Sequence, residues 1–262
     1  MCSRLSAALV ALLVLSPRLA AGEPRRAAPP ATTPVATPTL TPVPTAAASP
    51  FPTSTATPVP TGSVRVKVLV TGMDGVVQPA ADAVAWFPGL RGSGAQPSPR
   101  MSSRDKRFEP RVLAVPKGTK VTFPNYDKIF HNVFSLSEGG RFDLGLYRNG
   151  ASRTTSFETP SVVRVYCNIH PQMAAYVVVL DGSLYAQTGK DGLALLSGVP
   201  AGRQNVKVWE ERGGEWSGTV VVPAGATVEL TVPFDASRWK EQPHKNKYGK
   251  DYPPPDDDAN RY

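Results

Sequence analysis

Val162-Val163-Arg164-Val165-Tyr166-Cys167-Asn168-Ile169-His170-Pro171-Gln172-Met173 is a strand that runs into a ligand loop. Its first five residues are β-branched or aromatic except for Arg164, as a half-buried strand requires. The rest place a thiolate, an imidazole and a thioether at successive intervals of three residues. A second histidine stands upstream in Phe130-His131-Asn132-Val133-Phe134. Two His, one Cys and one weak Met form the ligand set of a mononuclear copper site. The reason is softness: thiolate and thioether suit Cu(I), and imidazole suits both oxidation states. A lone Cys at a strand end is more often a small buried hydrophobe. Against that, the chain has only three histidines, and two fall where such a site needs them.

Strand signals recur around this segment, separated by Gly, Pro, Asn and Asp. Val64 to Val70 alternates apolar and polar with period two. Residues 111–115, 120–123, 162–166 and 175–180 read as strands, as do 193–196, 205–209, 219–222 and 227–232. No stretch carries a helical stripe, so the chain is expected to be all-β, of sandwich type.

The ends differ in kind. Residues 1–22 read as a secretory signal. Arg4 is the positive start, Ala7 to Leu15 an apolar run too short to span a bilayer, and Leu19-Ala20-Ala21-Gly22 a cleavage region near Ala21. Removal takes Cys2 away and leaves Cys167 as the one thiol, with no disulfide to form. No cysteine stands at the cleavage region, so no lipid anchor is indicated. Residues 23–62 are a Pro/Thr/Ala tract, expected to be a disordered, semi-rigid linker. Residues 236–262, with Pro253-Pro254-Pro255 and Asp256-Asp257-Asp258, are expected to be a disordered tail. The Arg, Ala and Pro content points to a bacterial chain, and so to a periplasmic or secreted address.

The formal charge of +8 loses two when Arg4 and Arg18 are cleaved off. The remaining basic residues are scattered, without the clustered stripe of a nucleic-acid binder. Nothing has catalytic spacing. One cysteine cannot bridge a binuclear copper centre, and His244 alone cannot build a second copper site. An electron carrier is therefore expected rather than an enzyme.

The segment 98–181 resembles the cupredoxins, the blue-copper sandwich family. Phe108-Glu109-Pro110, Val112 to Thr119, Phe123-Pro124-Asn125, His131-Asn132-Val133 and the Cys167–Met173 loop carry the resemblance. The Cys-x-x-His-x-x-Met loop is similar to that of the amicyanins. The resemblance implies a Greek-key β-sandwich holding one type 1 copper ion, with His131, Cys167 and His170 as equatorial ligands and Met173 as axial ligand. It further implies that Asn132 braces the ligand loops and turns its N–H to the thiolate. The His170 edge is expected at an apolar surface patch, as the exit for electrons. Ile169 stands where amicyanin-type loops commonly have proline, so it offers a second N–H to the sulfur.

The flanks, 63–97 and 182–235, resemble two parts of a small transthyretin-like or carboxypeptidase-regulatory-like accessory sandwich. Asp191-Gly192-Leu193 and Gly198-Val199-Pro200-Ala201-Gly202 resemble its turn signature. The whole resembles exported proteins of the methylamine-utilisation-protein-like group. The function these likenesses imply is single-electron transport between an unidentified periplasmic donor and acceptor, by a monomer with no stable membrane anchor and no nucleic-acid partner. Two other readings stay open: a copper chaperone or storage protein, and an adhesion or scaffold module carried by the accessory sandwich.

Overall fold

The structure, a computed structural model, describes residues 59–92, 98–241 and 243–252. The signal segment and the linker up to residue 58 lie outside the described residues. So does the tail beyond Tyr252.

All regular structure among the described residues is strand. In chain order the strands are β1 (Thr61–Thr71), β2 (Val77–Pro79), β3 (Val84–Trp86), β4 (Ser102–Arg104), β5 (Arg107–Glu109) and β6 (Val112–Pro116). There follow β7 (Thr119–Pro124), β8 (His131–Ser135), β9 (Phe142–Tyr147), β10 (Ser152–Phe157), β11 (Ser161–Tyr166) and β12 (Ala174–Leu180). The last five are β13 (Tyr185–Gln187), β14 (Leu193–Pro200), β15 (Gly202–Glu210), β16 (Gly214–Val222) and β17 (Thr227–Asp235). β1 starts at Thr61, two residues inside the stretch expected to be linker.

The alternation in β1 shows why these residues form a strand. Val64, Val66, Val68 and Val70 are buried, while Arg65 and Lys67 point away from the core. Burying each valine stabilises the fold by roughly 1.5–3 kcal/mol before chain entropy is counted. β1 pairs antiparallel with β14 and β2 and parallel with β17. A second sheet runs β13-β3-β15-β16. The two sheets enclose one core, from Val64 and Phe87 to Val208, Val222 and Phe234. The turn at Asp191-Gly192 needs its glycine, which has a φ of 73°. A Cβ there would lie 2.6 Å from the Val68 carbonyl oxygen.

The other strands build a second sandwich. One sheet is β6-β12-β11-β8-β9, with β6 and β12 parallel. Facing it are β7-β10 and the β4–β5 hairpin, which joins β7 through bridges at Arg100–Thr122 and Ser103–Asn125. Their core holds Met101, Phe123, Val133, Phe157, Val163 and Val177. Cys167 and Met173 belong to the same cluster and are fully buried.

β12 has no solvent face, which accounts for the unbroken run Val177-Val178-Val179-Leu180. Val177 and Val179 point into the second core. Val178 and Leu180 point the other way and meet Val84, Trp86 and Trp209 of the first sandwich, with Val112 and Ala114 of β6 beside them. Tyr176 packs on Trp209 with ring centroids 5.3 Å apart. The Arg111 guanidinium forks onto the Glu211 carboxylate at 2.8 and 2.5 Å. The Trp86 indole N–H donates to Asp181 at 2.8 Å. Leu180→Ala in this seam is expected to cost about 2–5 kcal/mol. Denaturant melts should show it, and a loss under about 1 kcal/mol would mean that the seam is loosely packed.

Candidate metal centre

Three elements converge at one end of the second sandwich. β8 begins at His131, and Cys167 follows directly on β11. The loop 167–173 then returns to β12. It is pinned at its base, since the Cys167 N–H donates to the Met173 carbonyl (3.3 Å) and the Met173 N–H to the His170 carbonyl (3.0 Å). A loop this short and doubly tied holds its side chains with little freedom.

His131, Cys167 and His170 put one ligand atom each within 4.8 Å of the others, and all three residues are buried. The Cys167 Sγ is 3.7 Å from Nδ1 of His131 and 3.7 Å from Nδ1 of His170. A first-row ion about 2.0–2.1 Å from an imidazole nitrogen and about 2.3 Å from a thiolate places N and S roughly 3.6–3.8 Å apart at tetrahedral to trigonal angles. Both sulfur–nitrogen separations thus match the spacing such an ion needs. The soft sulfur with two imidazoles suits copper. Met173, fully buried, closes the loop beside them.

The electrostatics keep the nitrogen donors open. Burial, reinforced by His131, pushes the His170 pKa down to about 4. Burial also lowers His131, against the opposing pull of Asp127. Both rings are therefore neutral at neutral pH. Burial raises the Cys167 thiol, while the backbone N–H groups of Asn132, Ile169 and His170 hydrogen-bond to it and pull the other way. The metal-free thiol is protonated at neutral pH, and metal uptake must expel that proton. Apparent affinity for a thiolate-binding ion is therefore expected to rise about tenfold between pH 7 and 8, with one proton released per ion. Titration in weak buffer measures the release. Two or more protons at pH 7.5 would mean that the histidines are charged when empty.

The sequence reading places the His170 edge at an apolar surface patch. Instead His170 is 3% exposed, and its Nε2 is enclosed with no hydrogen-bond partner among the described residues. Asn132 turns its side chain to β9, where Nδ2 donates to Asp143 at 2.7 Å. Its backbone N–H is the group that meets the sulfur.

Two features escaped the sequence reading. Asp127 accepts the His131 Nε2–H at 2.7 Å, which leaves the Nδ1 lone pair facing Cys167. Its position four residues before His131 in the turn-rich Asn125-Tyr126-Asp127 was the available signal. The other feature is the tail. It has no helix or strand among its described residues, yet as far as Tyr252 it lies along the ligand loop. His244 stacks on Tyr166 at 3.8 Å between centroids and 16° between planes, and its Nε2 donates to the Pro171 carbonyl at 2.7 Å. The Tyr252 hydroxyl donates to the Cys167 carbonyl at 2.8 Å. The Lys247 N–H donates to Asn168 Oδ1 at 3.0 Å, and the Lys247 ammonium pairs with Asp143.

No family model and no curated protein matches the chain. Solved structures do. A purple cupredoxin from Nitrosopumilus maritimus is 26% identical over 31% of this chain and 98% of its own, with a TM-score of 0.29. A copper-containing nitrite reductase from Thermus scotoductus is 25% identical over 34% of this chain, at a TM-score of 0.30, and the match spans only 24% of that enzyme. A reduced amicyanin variant is 20% identical over 37% of this chain and 98% of its own, again with a TM-score of 0.30. Each match covers about a third of this chain at a low score, so the reading of the site rests on its own geometry.

Proposed function

We propose that this chain is an exported blue-copper protein of the cupredoxin kind, and that it carries single electrons through His131, Cys167, His170 and Met173. The observation that carries the reading is the pair of 3.7 Å separations from one buried sulfur to two imidazole Nδ1 atoms. When bound, copper supplies a one-electron couple.

The protein's part is to hold the donors still. Strand-anchored ligands and a loop tied at its base keep the same positions in both oxidation states, so little reorganisation accompanies transfer. The N–H groups aimed at the thiolate draw density from it and favour the reduced form. Met173 would be the fourth, weak donor to the ion. The enclosure of all four side chains supports the carrier over a chaperone, which must give its metal up to a partner and needs accessible ligands. An address outside the cytoplasm gives a lone thiol a use, because metal occupancy protects it from oxidation.

The test is optical and paramagnetic resonance spectroscopy of the copper-loaded protein, with a redox titration. One copper per chain, an intense blue colour and reversible cycling without metal loss are expected. A colourless copper-loaded protein would sink the proposal.

A further inference from the structure

Asp127 is built into the structure more firmly than a loop carboxylate needs to be. Its Oδ1 accepts the Asp105 N–H at 2.6 Å, and its Oδ2 accepts the Lys106 N–H at 2.9 Å. Those amides come from the two-residue turn of the β4–β5 hairpin, flanked by the Arg104–Arg107 pair. Asp105 and Lys106 have φ of 52° and 55°. A two-residue turn with both central φ positive is of type I′, which is normally filled by Asn-Gly or Asp-Gly. Lysine in that conformation is uncommon. The turn nevertheless forms, with both its amides on one carboxylate.

Asp127 is fixed along its backbone too. Its N–H donates to Asn125 Oδ1 at 2.9 Å, and its carbonyl accepts from Asn149 Nδ2 at 2.8 Å. Asn125 is fully buried and donates through Nδ2 to the Ile129 and Tyr147 carbonyls. The carboxylate therefore has one available position, and there Oδ2 meets His131 Nε2 at 2.7 Å. His131 is 0% exposed, so no water competes for that proton.

From this geometry we infer that Asp127 is a positioning residue for the metal centre, one that fixes His131 as the Nδ1-ligating tautomer and strengthens it as a donor. A carboxylate on the far nitrogen raises the basicity of a ligating imidazole, and losing such a partner typically costs about 10–100-fold in metal affinity. A stronger nitrogen donor favours Cu(II) over Cu(I), so Asp127 lowers the reduction potential. The three amides on Cys167 act in the opposite sense. The centre is set by two opposed devices, one acting through His131 and one through Cys167. The inference rests on the copper reading for its effect on the potential, and on the structure alone for its effect on His131.

The experiment compares the wild-type chain with Asp127→Asn, which keeps an acceptor oxygen and removes the charge. The variant is expected to stay blue, to bind Cu(II) about tenfold more weakly or worse, and to hold Cu(I) unchanged. For a one-electron couple, at 59 mV per tenfold, that raises the potential by about 60 mV or more. A blue variant with an unchanged potential overturns the inference and leaves the copper reading intact. If the wild-type protein proves colourless with copper, Co(II) affinity becomes the readout: a loss of about tenfold or more in Asp127→Asn upholds the inference while the copper reading falls, and no loss overturns it. Should Asp127→Asn fail to fold, nitrogen-15 NMR of the Zn(II)-loaded wild-type protein decides. A His131 proton on Nε2 with metal at Nδ1 upholds the inference, and the reverse tautomer overturns it.

Discussion

Cys167→Ser abolishes the blue colour completely: the variant is expected to fold, to hold copper weakly if at all, and to lack the intense thiolate band. The colour comes from charge transfer out of a soft sulfur, and a hydroxyl has no equivalent orbital to offer. The fold should survive because the side chain is small and the three amides at the sulfur can still find an acceptor in the serine oxygen. A hydroxyl in that apolar, fully buried position costs about 1–3 kcal/mol where its bonding is incomplete. Absorption and paramagnetic resonance spectra, with a thermal melt of the metal-free protein, measure both effects. An intense band that persists in the serine variant would remove the thiolate from the site.

A chain ending at residue 241 is expected to release copper about a hundredfold faster than the full chain. Three hydrogen bonds tie the tail to the ligand loop: His244 to Pro171, Tyr252 to Cys167 and Lys247 to Asn168. At about 1 kcal/mol each, they add about 3 kcal/mol to the cost of opening the loop, and each 1.4 kcal/mol is a factor of ten. The His244–Tyr166 stack contributes in the same sense. Copper transfer to a strong chelator gives the rate. His244→Ala alone should fall between the two chains, and equal rates in all three would show the tail to be an ornament of the loop.

The fold was legible wherever burial is periodic. β1 announces itself through Val64, Val66, Val68 and Val70, and β12 through an apolar run that only a strand buried on both faces explains. β2, β4, β5, β8, β9, β10 and β13 were not read as strands. β10 reads Ser-Arg-Thr-Thr-Ser-Phe, with only Phe157 buried, and it is a strand because β7 is beside it. Pairing of that kind is non-local and leaves no period. The Cys-x-x-His-x-x-Met spacing was legible because a loop carries its ligands in local order, and His131 because histidine is rare here. Asp127 was hidden because its partner amides come from a turn with neither glycine nor asparagine. The tail was hidden because side-chain to main-chain hydrogen bonds hold it, without a buried stripe. His170 was placed at the surface by resemblance, and what covers a side chain is decided by the whole fold.

The order of the strands along the chain also sets an order in time. Every pairing of β4 to β12 is made between residues 100 and 180, so the metal-binding sandwich is complete once Leu180 has emerged. The other sandwich must wait. Its central strand β1 pairs with β17, and the Arg65–Glu229 ion pair spans 164 residues. Chain ends meet around the inner unit, where the Ser183 N–H donates to the Leu90 carbonyl at 2.8 Å. Contacts that distant form slowly, after the local ones. During synthesis the chain therefore carries a finished ligand cage on an unfinished support. In a chain stopped at residue 181, hydrogen exchange should find residues 101–180 protected and 61–87 open.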